Sequence, residues 1–235
     1  MPSKNESPSI LIVGASRGLG HALAEGFLKQ GWHVTGTVRG SAHTPLHDLA
    51  AANSGKLRVE RIDITRVDDI AALRDRLEGH RFDILFVNAG TTNENPGETI
   101  GEVSTDEFVQ VMVTNALSPM RVVEGLEGLV ADDGLIGVMS SGQGSIANNE
   151  RGGREVYRGS KAALNQFMRS YAARQAGTKR ALLVLAPGWI RTDLGGDEAP
   201  YTVEESIPLL LDVILRKRNR PGLEYLDRDG KTVPW

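Results

Sequence analysis

The chain has 235 residues, 40% of them hydrophobic and 24% charged, with a formal net charge of −3. That length and mixture suit one soluble α/β domain with a sizeable core, and the near-neutral balance implies no general attraction to nucleic acid or to an anionic membrane. There is no cysteine, which excludes disulfides, thiol catalysis and thiolate metal sites and fits a cytoplasmic location. No apolar run approaches the length of a membrane span, and the N-terminus lacks the hydrophobic centre of a signal peptide. Residues 1–8 are expected to form a short flexible tail ahead of a single domain over 9–235.

Ser9-Ile10-Leu11-Ile12-Val13 is a short apolar run of the kind that forms a buried parallel strand. It leads into Gly14-Ala15-Ser16-Arg17-Gly18-Leu19-Gly20, and an amphipathic helix follows with Leu19, Leu23 and Phe27 inward and Gly31 as its C-cap. Strand, glycine turn and helix are the context of a dinucleotide site. Glycines admit a pyrophosphate close to the backbone, and the helix N-terminus offers free N–H groups and a positive dipole end. The spacing here is Gly-x-x-x-Gly-x-Gly, which by itself could equally be a tight turn packing a helix on a strand. Residues 32–38 read as the second strand. Arg39 stands at its end, about 20 residues past the turn, where an NAD-binding enzyme usually places an acid for the ribose 2′-hydroxyl. An arginine suits a 2′-phosphate instead; Arg17 is a second cation within the turn, and together they favour NADP(H).

Residues 41–55 are polar. His43 and His47 lie at i, i+4, but with no third ligand nearby they read as a solvated helix start, and no metal site is expected. Residues 57–65 alternate and read as the third strand. Asp63 and Ile64 fall near its C-terminal end, Asp63 being either a ligand contact or the N-cap of the helix beginning near Val67. Residues 82–87 form a central strand ending in Asn88-Ala89-Gly90, and a polar loop covers 91–103. One long helix is expected from Thr105 to about Leu129. Asn115 falls in its middle, where an amide is disfavoured and either faces solvent, caps a kink before Pro119 or serves a site.

Residues 134–139 read as the fifth strand, followed by Ser140-Ser141-Gly142 and a glycine-rich loop to 154. The next helix carries Tyr157 and Lys161 four residues apart on one face, with Cβ atoms about 5–6 Å apart. A close ammonium lowers a phenol's pKa from about 10 by about 1–3 units, giving an acid/base near neutral pH. Alone this pair is a weak signal. Residues 180–186 are the sixth strand, and Pro187-Gly188-Trp189-Ile190-Arg191-Thr192 turns out of it into 193–200, a candidate lid. A helix over 203–218 ends in a basic run, 216–220, read as a solvated, dipole-favoured terminus. Residues 222–226 are the last strand, and Trp235 is expected to cover a cleft or edge. The alternation argues for an α/β fold: one doubly wound, mostly parallel seven-stranded sheet with helices on both faces and ligand contacts at the strand C-termini.

Taken together, Gly14-x-x-x-Gly18-x-Gly20, Asp63, Asn88-Ala89-Gly90, Asn115, Ser140-Ser141, Tyr157-x-x-x-Lys161 and Pro187-Gly188 resemble the short-chain dehydrogenase/reductase family, in family order and over nearly the whole chain. Met139-Ser140-Ser141 with Gly144-Ser145-Ile146, the run 157–165, and the ending Asp229-Gly230-Lys231-Thr232-Val233-Pro234-Trp235 are most similar to the carbonyl-reductase branch with sniffer-like and C-factor-like proteins. The resemblance implies a single-domain Rossmann fold and a tetrad. Tyr157 would protonate the substrate carbonyl oxygen, and Lys161 would lower the Tyr157 pKa and hold the nicotinamide ribose. Ser141, the second serine of its pair, would bond the carbonyl oxygen, and Asn115 would anchor a water leading from Lys161 to solvent. It also implies cofactor contacts from Gly14, Ser16, Arg17, Gly18, Leu19 and Gly20 at the phosphates, Arg39 at the 2′-phosphate, and Asp63 and Ile64 at the adenine. Asn88, Ala89 and Gly90 would serve the ribose side or brace the sheet, and Pro187, Gly188, Ile190 and Thr192 the carboxamide and pyrophosphate.

Two departures stand out: Val13 replaces the threonine common before the glycine turn, and the gap from Ser141 to Tyr157 is longer than the commonest spacing. The expectation is an NADPH-dependent reductase of a small ketone or aldehyde, with no nucleic-acid or membrane partner and with a homo-oligomer admitted. The alternatives are a cofactor-binding regulatory protein of the C-factor type and an NAD-linked alcohol dehydrogenase, against which Arg39 argues.

Overall fold

The computed structural model describes residues 7–235. Its strands are β1 (Ser9–Val13), β2 (His33–Val38), β3 (Leu57–Arg61), β4 (Phe82–Val87), β5 (Val130–Met139), β6 (Ala181–Ala186) and β7 (Gly222–Asp227). They form one parallel sheet in the order β3-β2-β1-β4-β5-β6-β7. Side chains of a strand alternate between faces. Ile10 and Ile12 therefore join the core on one side, while Leu11 and Val13 join the core on the other. Both faces are covered, which is why the run is apolar throughout rather than alternating.

One face is covered by α1 (Gly18–Lys29), α2 (Pro45–Ala52) and α7 (Val203–Arg218), through Leu23, Phe27, Leu46, Leu210 and Leu211. The other is covered by α3 (Val67–Arg76), α5 (Ser118–Leu126) and α6 (Glu155–Arg174), through Leu73, Val122, Leu126, Leu164 and Met168. The chain reverses direction across the sheet between β1 and β4, so a crevice opens there at the strand C-termini.

Several local expectations are corrected. The long helix is broken: α4 (Thr105–Met112) passes into a π-helical turn, Val113–Leu117, before α5, and a 3₁₀ turn, Glu127–Leu129, precedes β5. Pro119 has no N–H, so the carbonyl four residues earlier, that of Asn115, loses its helical donor, and a wider turn forms. β3 stops at Arg61 because the Asp63 carboxylate accepts from the Thr65 N–H at 3.0 Å and hydroxyl at 2.7 Å, closing a turn. Asp63 does not cap α3; the cap is Arg66. β5 starts four residues early, with an irregularity opposite Phe82 and Ile84. Of the expected tail, residues 1–6 lie outside the described residues, and Pro8 is tied to the sheet by the His33 N–H at 2.9 Å.

The basic run at the end of α7 is not simply solvated. Lys217 is fully buried, donates to the Gly222 carbonyl at 2.7 Å and pairs with Glu224 at 3.2 Å, while Arg218 pairs with Asp83 across to β4. Burial lowers the Lys217 pKa, and Glu224 opposes that shift. His47 caps α2 by accepting from the Thr44 N–H, and His43 pairs with Asp48 at 2.7 Å. Trp235 packs on Tyr225 with ring centroids 5.1 Å apart, covering that edge of the core, with the Arg169 guanidinium over it. Among the described residues no helix is long and apolar enough to cross a membrane.

Helix α1 meets the sheet so closely that a Cβ on Gly20 would lie 2.0 Å from the Gly14 carbonyl oxygen and 2.7 Å from Asn88 Nδ2. Gly20→Ala is expected to cost on the order of 1–3 kcal/mol or more by overpacking. Gly159→Ala, at an exposed position of α6 where a Cβ meets nothing, is expected to stabilise by up to about 1 kcal/mol. Denaturant midpoints of the two variants test the contrast.

Candidate active site

A cleft of about 1030 Å³ opens at the strand C-termini, bounded by the glycine turn on one side and by α6 and the 187–195 loop on the other. Every residue the sequence singled out lines it except Gly20 and Asn115, which sit behind its wall.

The glycine turn forms as its conformations require. Gly14 has φ +90° and Gly18 φ +55°, a region that favours glycine. A Cβ on Gly14 would also lie 2.8 Å from the Ala89 backbone. The hydroxyl missing at Val13 is supplied from the neighbouring strand: the Gly14 N–H donates to Thr37 Oγ1 at 3.0 Å, and the Ala15 N–H to the Thr37 carbonyl at 2.8 Å. Asn88 Nδ2 donates to the Gly14 carbonyl at 2.8 Å, so Asn88 braces the turn rather than projecting a free amide into the cleft. The turn leads into the N-terminus of α1, whose first turn carries no acidic side chain. This cradle of close backbone, free amides and positive dipole fits a pyrophosphate.

Arg39 is exposed at the end of β2 and helps hold the Asp63 carboxyl low. Burial raises that carboxyl, but the Thr65 bonds with Arg39 and Arg66 outweigh it. Arg17 reaches Asp193 across the cleft mouth at 3.3 Å, with both side chains about three-quarters exposed, a contact worth at most about 1 kcal/mol. Both cations are thus free to meet an anion. The 193–200 loop is tethered rather than loose: the Trp189 indole N–H donates to the Gly195 carbonyl at 2.7 Å, Arg191 Nε to the Ala199 carbonyl at 2.7 Å, and the Gly195 N–H to Thr192 Oγ1 at 3.1 Å.

At the other end stand Tyr157 and Lys161. Lys161 is 3% exposed; its ammonium donates to the Met139 carbonyl at 3.0 Å and lies 5.8 Å from the Tyr157 ring centroid. Burial brings its pKa down to about 8. Burial also pushes the Tyr157 phenol above its ordinary value, and the Ser141 hydroxyl and the Arg154 guanidinium pull it partly back. The expected lowering of Tyr157 by Lys161 is therefore not what this geometry gives: burial outweighs the charge, and the phenol keeps its proton through neutral pH.

Ser140 and Ser141 divide their roles. Ser140 Oγ is buried and donates to Asn165 Oδ1 at 2.6 Å, whose Nδ2 donates to the Gly144 carbonyl at 3.1 Å. Ser141 Oγ accepts from the Gln143 N–H at 3.1 Å and lines the cleft beside the Tyr157 phenol, whose pKa its hydroxyl helps to lower. The Tyr225 hydroxyl donates to the Ser141 carbonyl and fixes that segment.

Asn115 is fully buried in the π-helical turn. Its Nδ2 donates to the Thr91 carbonyl at 2.8 Å and to Ser160 Oγ at 3.0 Å, and its Oδ1 accepts from the Thr91 N–H at 2.8 Å. Ser160 in turn donates to the Tyr157 carbonyl at 2.8 Å. A Cβ built on Gly90 would lie 3.3 Å from both Asn115 Oδ1 and Lys161 Nζ, so glycine leaves room where these two converge. Thr37, Thr91, Ser160, Asn165 and Tyr225 were missed from the sequence. Only Ser160 and Asn165 carried a signal, their place in the run 157–165.

The family described as short chain dehydrogenase matches residues 8–201, and the chain belongs to it. Such chains are oxidoreductases on a Rossmann fold, as the sheet order shows here. Among solved structures, one from Burkholderia multivorans with bound NADP is 65% identical with a TM-score of 0.97, covering 98% of this chain and 100% of that one. A carbonyl reductase from Pseudomonas aeruginosa PAO1 in complex with NADP is 33% identical with a TM-score of 0.90, covering 98% of this chain and 100% of that one. Among curated proteins, the C-signal of Myxococcus xanthus is 32% identical over 155 residues, 65% of this chain and 92% of that protein.

The buried ammonium has a measurable signature. Its folded pKa of about 8 lies below the unfolded value near 10.5, so between these values the unfolded chain binds the extra proton and stability rises with pH. The penalty is fully present below about pH 8 and vanishes toward pH 10.5. Lys161→Met removes it, so the stability difference, variant minus wild type, is expected to shrink by on the order of 3 kcal/mol between pH 7 and pH 10. Denaturant titrations at the two pH values check this.

Proposed function

We propose that the protein is an NADPH-dependent reductase that converts a ketone or aldehyde to an alcohol. The observation that carries this reading is the convergence of Ser141, Tyr157 and Lys161 on one wall of a cleft whose other end is the glycine turn with Arg17 and Arg39. The NADP complexes of the Burkholderia and Pseudomonas proteins, and the carbonyl reductase activity named for the latter, support it.

Gly14, Ser16, Gly18, Leu19 and the N-terminus of α1 would hold the pyrophosphate, Arg17 and Arg39 the 2′-phosphate, and Asp63 and Ile64 the adenosine end. Ile190 and Thr192 would hold the carboxamide side, and Lys161 the nicotinamide ribose. The bound cofactor supplies a hydride. Ser141 donates a hydrogen bond to the substrate oxygen and stabilises the charge that develops there. Tyr157, protonated through neutral pH, delivers its proton to the same oxygen as an alkoxide forms. Lys161 keeps a positive charge beside the phenol below about pH 8, which favours that transfer in its late, phenolate-like stage. Asn115 fixes Thr91 and Ser160, and so sets the wall against which Tyr157 and Lys161 are held.

The C-signal likeness favours a second reading, a regulatory protein that binds the cofactor without turnover. The test is cofactor consumption against a panel of ketones, diketones, quinones and aldehydes. Turnover is expected with NADPH favoured over NADH by at least about tenfold in kcat/KM, and Arg39→Glu is expected to erase that preference. Tight NADPH binding with no turnover of any carbonyl supports the regulatory reading, and NADH preferred by the wild type overturns the cofactor assignment.

A further inference from the structure

We propose that Arg154 forms an anion subsite for the substrate, and that the carbonyl compound reduced carries a carboxylate a few bonds from the reacting carbon. The proposal rests on the reductase reading above and narrows its substrate class to oxo acids. It starts from the backbone. Arg154 caps α6 with φ 52° and ψ 41°, and among the described residues it is the one non-glycine with a positive φ. A non-glycine residue held there is strained, and such strain collects where a side chain must be aimed. The aim here is the cleft: the guanidinium carbon sits 5.3 Å from the centroid of the Tyr157 ring.

Apart from the Tyr157 ring, the guanidinium has no partner among the described residues to explain it. Arg154 Nε is buried with no hydrogen-bond partner, and among the described residues no carboxylate lies within salt-bridge distance of the side chain. The neighbouring acid is committed elsewhere, Glu155 Oε2 accepting the Ile100 N–H at 2.7 Å. Of the two acids lining the cleft, Asp63 is engaged by Thr65 and Asp193 meets Arg17 only weakly at the exposed mouth; neither pairs with Arg154. A guanidinium presents paired donors that match a carboxylate, and in a partly dehydrated cleft such charge-assisted bonds are strong. With the cation this close to the Tyr157 ring, one small molecule can place its carboxylate on Arg154 and its carbonyl oxygen on Tyr157. The oxo group gains a hydride from NADPH and a proton from Tyr157, and the carboxylate is unchanged.

The experiment compares kcat/KM for short 2-oxo and 3-oxo acids with their methyl esters, at saturating NADPH, in wild type, Arg154→Asn and Arg154→Lys. Asparagine tolerates the left-handed backbone, and NADPH binding confirms that each variant is folded. The wild type is expected to favour acid over ester by on the order of 10–100-fold, chiefly through KM. That ratio is expected to fall at least about tenfold in Arg154→Asn and to recover partly in Arg154→Lys. In the wild type, and more weakly in Arg154→Lys, the KM of the acid should rise with ionic strength while that of the ester does not. An ester reduced as well as its acid by the wild type overturns the proposal while leaving the reductase reading intact. So does an unchanged ratio in Arg154→Asn with a shifted pH profile, which would make Arg154 a group that tunes Tyr157. Turnover of no carbonyl, charged or neutral, overturns both.

Discussion

A nearly buried lysine ammonium on the wall of the cleft is the constraint around which that cleft is arranged. Lys161 is 3% exposed, and among the described residues no carboxylate charge acts on it. Its one protein hydrogen bond goes to the Met139 carbonyl at the end of β5. A charge in that position is costly and shifts toward neutrality, as its pKa of about 8 records. The surroundings accommodate it by geometry rather than by countercharge: Gly90 contributes no side chain, Asn115 and Ser160 fix the adjoining backbone, and α6 holds Tyr157 one turn away.

The π-helical turn belongs to the same arrangement. A regular helix through residue 115 would satisfy its own backbone and carry the side chain at ordinary spacing. Pro119 denies Asn115 that partner, the turn widens, and the amide reaches both Thr91 beyond β4 and Ser160 on α6. Three elements distant in sequence are joined through one buried side chain. At the opposite end of the cleft the glycine turn is held the same way, by Thr37 and Asn88 from the strands on either side of β1. The cleft is thus preorganised at both ends by side chains of the sheet and its flanking helices.

Much of this was legible in the sequence, for identifiable reasons. Apolar runs such as 9–13 and 181–186 read as strands because both sheet faces are covered, and the glycine turn read as a ligand cradle because its spacing demands backbone contact. Ser140 Oγ is committed to a buried bond with Asn165, which leaves Ser141 as the serine proposed for the reaction. What was illegible depends on long-range packing. The break in the long helix follows from Pro119 acting on a residue four positions away, and the burial of Lys217 follows from β7 folding over it. The phenol's shift could not be signed from a four-residue spacing, because burial and charge act in opposite directions and the fold decides which is larger. Arg154 was invisible for the same reason, since its left-handed backbone is set by the loop before it.

The central claim, that Tyr157 is the proton donor, is tested most directly by single-turnover oxidation of bound NADPH on mixing with a reducible carbonyl, wild type against Tyr157→Phe. Phenylalanine keeps the ring and removes only the hydroxyl. The account predicts that NADPH still binds while hydride transfer slows by about 10²–10⁴-fold. A variant that binds NADPH and oxidises it at the wild-type rate would contradict the account and remove the proton donor from this wall of the cleft.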